Sequence, residues 1–258
     1  MAAAYSLIPD LKGKRVLVTG ASNETGPQVA KAFANRGAEL ALTYCRDRDG
    51  GERTADECRK RGATAAHVFR LDLLDADRCA ALVPEVVAAL GGLDILVAVA
   101  GTGGSYRSLL EVDADHVLRA LQGQVCGNLA IARDAGLAMP HDGTGRIVFV
   151  SATSCYKYSH ASYGFAKATL NELTKFLACE MASRKITVNT VVPQLIDLES
   201  ISAEVREKRK QFTPLGNIPH PDQIAQMCLV LCSSLFDIVT GQLIYMDGGY
   251  RLRPPEDR

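Results

Sequence analysis

Short apolar runs alternate with helical stretches along the whole chain. This alternation restricts the fold more than any single residue does. Arg15-Val16-Leu17-Val18-Thr19 reads as a buried strand; a turn over 20–26 and a helix to about Arg36 follow, and Gly37 stops that helix. Further apolar strands are expected at 39–44, 65–69, 94–99, 147–150, 186–192 and 241–246. Helical rhythm fills 50–61, 75–90, 162–181 and 221–233, and 113–139 should hold one long helix or two abutting ones. Pro84 inside 75–90 predicts a kink or a late start there, and Pro193 stops the sixth strand. Strands this short, each followed by a helix, make right-handed βαβ units. The fold class is α/β: a doubly wound parallel sheet of about seven strands with helices on both faces. No repeat, low-complexity tract or linker interrupts the pattern, so residues 1–258 read as a single domain.

Composition narrows the partners. Lys plus Arg equals Asp plus Glu, so the net charge of zero offers nothing to nucleic acid or an anionic membrane. The start has no basic region ahead of an apolar run, and no stretch is long and apolar enough to span a bilayer. A cytoplasmic protein with reduced thiols is expected. The eight cysteines are scattered, with no CxxC and no Cys/His ligand set, so no metal is expected. Cys126 and Cys155 should be buried small hydrophobes.

Two stretches carry chemistry. The turn Gly20-Ala21-Ser22-Asn23-Glu24-Thr25-Gly26 lies between a strand and a helix, where free backbone N–H groups can hold a pyrophosphate. Further on, Tyr163 and Lys167 stand four residues apart in a helical stretch, one turn apart on one face. An ammonium beside a phenol favours the phenolate, which should lower the Tyr163 pKa and suit it to proton transfer at a carbonyl oxygen. His160, three residues earlier, is either a loop residue with no chemical role or one that aids proton transfer or binds substrate. The insert 194–216 is centred on the charged run 202–210, which is a solvated surface helix, a mobile substrate lid, or both.

These residues together resemble the short-chain dehydrogenase/reductase family over about 11–250. Thr19-Gly20…Gly26, Asp72, Ala100-Gly101, Tyr163…Lys167 and Asp247-Gly248-Gly249 fall in the family's order and spacing, and the chain reads as a divergent member. The resemblance implies a Rossmann-type domain, a nicotinamide cofactor, a small-molecule substrate and a homo-oligomer, tetramer or dimer. It implies that Tyr163 is the acid or base and that Lys167 holds the nicotinamide ribose. Gly20, Ser22, Asn23, Thr25 and Gly26 would form the pyrophosphate turn. Asp72 and Leu73 would flank the adenine, Ala100 and Gly101 would pass under the ribose, and the backbone from Pro193 to Ile196 would meet the nicotinamide amide.

The second strand ends near Tyr44 without an acid, and Arg46 and Arg48 follow, so a 2′-phosphate and hence NADP(H) is favoured. The alternative is that both arginines are exposed loop charges. Three positions depart from the family pattern. Glu24 stands where the turn has its middle glycine. The family's serine falls on Ala152 counted from the strand and nearer Ser151 counted from Tyr163, with Ser154 close. The family's helix asparagine aligns best with Gln124, and Asn128 is one turn on. The expected activity is NADPH-dependent reduction of a carbonyl or conjugated enone, with Tyr163, Lys167, Ser151 and Gln124 as the catalytic set. The alternative is a non-redox cyclase, isomerase or dehydratase on the same fold, with Tyr163 as general acid/base.

Overall fold

The computed structural model describes residues 11–103, 108, 110–156 and 161–252. Its strands are β1 (Arg15–Thr19), β2 (Glu39–Tyr44), β3 (Ala65–Arg70), β4 (Ile95–Ala98), β5 (Arg146–Val150), β6 (Thr187–Pro193) and β7 (Leu243–Met246). They form one sheet in the order β3-β2-β1-β4-β5-β6-β7, and every neighbouring pair is parallel. The helices are α1 (Gly26–Ala34), α2 (Arg48–Lys60), α3 (Ala76–Leu90), α4 (Ala114–Leu121), α5 (Gly127–Ala138), α6 (Ala161–Ala182), α7 (Ala203–Gln211) and α8 (Pro221–Leu231).

The strands read as continuous apolar runs because both faces of the sheet are covered. Every residue of β4, β5 and β6 is buried. Side chains alternate between two cores, as a period of two requires. Val16, Val18, Ile95, Val97, Val148 and Val150 join the core under α1 and α8. Leu17, Leu96, Ile147 and Phe149 point the other way, into the core with α3, α5 and α6. The strand order reverses between β1 and β4, which opens a crevice at the carboxyl ends of those strands.

Two helical details refine the expectation. α3 starts at Ala76, capped by the Asp75 carboxylate accepting from Arg78 N at 3.0 Å, so Pro84 causes no late start. Pro84 and Ala80 are both exposed, so the carbonyl deprived of its donor faces water. The 113–139 stretch is helical without a break, as expected of one long or two abutting helices, with a feature that was not foreseen: a π turn, Gln122–Cys126, joins α4 to α5. Among the described residues no helix is long and apolar enough to cross a membrane.

Candidate active site

The β1–α1 turn is built by close backbone approach. Gly20 adopts φ 71, and a Cβ there would sit 2.9 Å from Ala100 Cα, so β1 and β4 can end side by side only with glycine at this position. A Cβ on Gly26 would overlap the Gly20 carbonyl oxygen. Gly20 N donates to Thr43 Oγ1 at 3.0 Å and Ala21 N to Thr43 O at 2.8 Å, fixing the turn to β2. Thr25 is the N-cap of α1 but provides no side-chain cap, and the first turn carries no acid. Its backbone N–H groups therefore present partial positive charge to the crevice, as a pyrophosphate requires. Thr25 and Gly26 are buried, Ser22 half-buried and Asn23 exposed. Glu24 adopts φ 57, the left-handed conformation its glycine counterpart would take freely, and its side chain is exposed. The chain thus keeps the shape of a dinucleotide turn without the middle glycine.

Other strand ends complete the crevice. Ala100 N donates to Thr19 Oγ1 at 3.1 Å. Asp72 accepts from Leu74 N at 3.0 Å, and Leu73 is buried beside Gly127, where a Cβ would crowd it. Beyond β2 the two arginines separate. Arg48 pairs with Glu52 at 3.6 Å, whereas Arg46 is exposed and has no ion pair among the described residues. Pro193 closes β6, and the next amide, Gln194 N, donates to Met246 O at 3.2 Å; Ile196 is half-buried.

α6 brings Tyr163 and Lys167 to the carboxyl end of β5. Tyr163 is half-buried and Lys167 only 5% exposed. Lys167 Nζ lies 5.7 Å from the Tyr163 ring centroid and donates to Val150 O at 3.4 Å. Burial pushes Lys167 down to about 8, still leaving an ammonium at neutral pH. The polar stripe continues one turn further to Asn171, whose Nδ2 donates to Cys155 Sγ at 3.3 Å while its Oδ1 has no partner. Sequence reading passed over Asn171, although its i+8 position relative to Tyr163 was the available signal. Cys126 is exposed on the outer side of the π turn and Cys155 only half-buried in the 3₁₀ turn Thr153–Tyr156, so the expectation that both are buried is corrected. Burial nevertheless pushes Cys155 up to about 11, which keeps it a thiol.

The remaining expected residues converge on the same end of the sheet. Ser151 is buried, its N–H bonded to Val191 O at 2.8 Å and its Oγ without a partner, while Ala152 and Ser154 are half-buried. Gln124 sits within the π turn and donates to Thr102 O. Asn128 Nδ2 reaches Ala100 O at 3.3 Å and Gln124 O at 3.0 Å. Thr102 Oγ1, Gln124 Oε1 and Asn128 Oδ1 are all buried without partners among the described residues. Such atoms are costly and rare in folded proteins, and here they concentrate beside Lys167's helix. His160 lies outside the described residues, and among those described no group of His, Cys, Asp or Glu could hold a metal ion.

A family model described as enoyl-(acyl carrier protein) reductase matches residues 20–251. The chain belongs to the short-chain dehydrogenase/reductase family. A 3-oxoacyl-(acyl-carrier-protein) reductase of Aquifex aeolicus is 30% identical, covering 93% of this chain and 98% of its own. Versicolorin reductase 1 of Aspergillus parasiticus is also 30% identical, over 93% of this chain and 97% of its own. Among solved structures, a short-chain dehydrogenase/reductase of Serratia marcescens superposes with a TM-score of 0.87 at 27% identity, covering 94% of this chain and 100% of its own. A Burkholderia cenocepacia short chain dehydrogenase, solved in complex with NADP, gives 0.86 at 27% identity, covering 94% of this chain and 99% of its own. As a short-chain dehydrogenase/reductase the protein is an oxidoreductase, and its seven-stranded parallel sheet is the family's fold.

Proposed function

We propose that this protein reduces a carbonyl or conjugated enone of a small organic substrate with NADPH, and that Tyr163 donates the proton. One observation carries the reading: a buried ammonium, Lys167, stands 5.7 Å from the Tyr163 ring at the carboxyl end of the sheet. The uncapped start of α1, closed by Gly20 and Gly26, fits a pyrophosphate, with Ser22, Asn23 and Thr25 beside it. Asp72 and Leu73 would flank an adenine, Ala100 and Gly101 a ribose, and the backbone from Pro193 to Ile196 an amide. Arg46, free of ion pairs among the described residues, is the guanidinium for a 2′-phosphate. Reduced nicotinamide bound there supplies a hydride.

The protein's own groups manage the proton. The Tyr163 hydroxyl gives its proton to the substrate oxygen, and the Lys167 ammonium stabilises the phenolate left behind. Ser151, whose hydroxyl has no partner, turns about χ1 to polarise that oxygen. The Gln124 carbonyl would accept from a water, and that water would return a proton from solvent to Tyr163. The 194–216 segment of the single domain acts as a substrate lid. The reductase names of the two curated relatives agree with this direction. Exposed apolar side chains on neighbouring helices, Leu118 on α4, Leu129 and Leu137 on α5, and Phe165 and Phe176 on α6, favour a homo-oligomer.

The test is NADPH consumption against a panel of ketones and conjugated enones. Wild-type protein should turn over at least one class, and Tyr163→Phe should lower kcat by about 10²–10⁴-fold with NADPH affinity unchanged. A wild type that binds NADPH but consumes none across the panel would return the non-redox alternative, a general acid/base catalyst on the same fold.

A further inference from the structure

The 194–216 segment leaves the sheet at β6 and returns ahead of α8, and both of its roots meet one side chain. Gln194 is 4% exposed, with its carboxamide turned under the excursion. Its Nε2 donates to Thr213 Oγ1 at 3.0 Å and to the Asn217 carbonyl at 3.2 Å. The Thr213 hydroxyl, having accepted that bond, donates to Arg209 O at 2.8 Å in the last turn of α7. Thr213 is itself held from below: Leu215 N donates to Gly248 O at 3.1 Å, and a Cβ on Gly248 would overlap the Thr213 methyl.

The outer part of the excursion is held far more lightly. α7 buries no residue at all. Its side-chain ties include Arg206 to Asp197 at 2.5 Å and to Leu198 O at 3.2 Å, and the Arg209 guanidinium 4.8 Å over the Tyr250 ring. Half-exposed ion pairs contribute little. A buried carboxamide bonded to two acceptors contributes more. The same residue's backbone amide is fixed to β7 through Met246 O.

We infer that Gln194 is a positioning residue, a latch whose carboxamide sets how often the 194–216 lid opens and ties that opening to the backbone at the end of β6. This rests on the lid and cofactor reading above. The prediction itself is read on protein without nucleotide. α7 presents Arg206, Lys208, Arg209 and Lys210 to trypsin, and cleavage there tracks the open population when closing is fast.

Gln194→Met keeps the length of the side chain and removes the donor. Cleavage within α7 should accelerate about tenfold, while cleavage after Lys60 and Lys175 in other helices keeps its wild-type rate. Thr213→Val should give the same acceleration, Thr213→Ser should not, and Gln194→Met with Thr213→Val should add little to either alone. An unchanged α7 rate in both Gln194→Met and Thr213→Val overturns the inference. So does an acceleration shared equally by Lys60 and Lys175, which reports general loosening. Failure of wild-type protein to bind NADPH would defeat the cofactor reading without altering any of these cleavage rates, so the two outcomes are separable.

Discussion

Glu24 holds φ 57 in the turn that should receive a pyrophosphate, and it adds an exposed carboxylate to that turn. The first lowers stability, since left-handed backbone costs a non-glycine residue about 1 kcal/mol, and the second opposes binding, since like charges repel. Glu24→Gly should therefore raise the melting temperature and tighten NADPH binding by about tenfold; weaker NADPH binding in that variant would show that the carboxylate makes a favourable contact. Lys167 gives a pH signature. Its ordinary value is 10.5, and burial pushes it down to about 8. Below about pH 8 the fold must enclose a charge at full cost. Between 8 and 10.5 the unfolded chain holds a proton the folded one has released, so stability rises with pH. Relative to Lys167→Met, wild-type protein should gain up to about 3 kcal/mol across that window, measured by urea unfolding at stepped pH. Parallel curves would mean that Lys167 is hydrated. The Tyr163–Lys167 pair was readable from spacing because it is local to one helix. Gln194 was not, since its partners lie 19 and 23 residues away.

The elements were legible where burial on both sides leaves no ambiguity, as in β4, β5 and β6. Their ends moved by one or two residues at most. The π turn was illegible because an extra residue in a helix leaves the apolar rhythm of its flanks intact. Its geometry depends on Gly123, where a Cβ would overlap the Thr102 side chain, and on Gly127 against Leu73 O. Gly123→Ala should push apart the π turn and the loop after β4, costing about 1–3 kcal/mol in unfolding measurements and lowering kcat through Gln124. Unchanged stability and rate would place the turn outside the working site. The start of α3 agrees with the expected 75–90 to one residue, but the late start that Pro84 offered does not occur: proline is tolerated mid-helix when its freed carbonyl faces water, and sequence alone does not say which side that is.

At the scale of the whole molecule, alternation foretold a parallel α/β sheet, but the strand order that creates the crevice is a property of long-range pairing. That order brings the β1–α1 turn, Arg46, the Asp72–Leu73 corner and the Tyr163–Lys167 face to one end of the sheet, although they are spread over more than half the chain. The central claim is that this end holds NADPH, selected by Arg46. Titration of NADPH and NADH into wild-type and Arg46→Asp protein, followed by nicotinamide fluorescence, tests it most directly. The account predicts NADPH binding about tenfold tighter than NADH in the wild type and loss of that preference in Arg46→Asp. Equal affinities in the wild type, or no binding of either nucleotide, would contradict it.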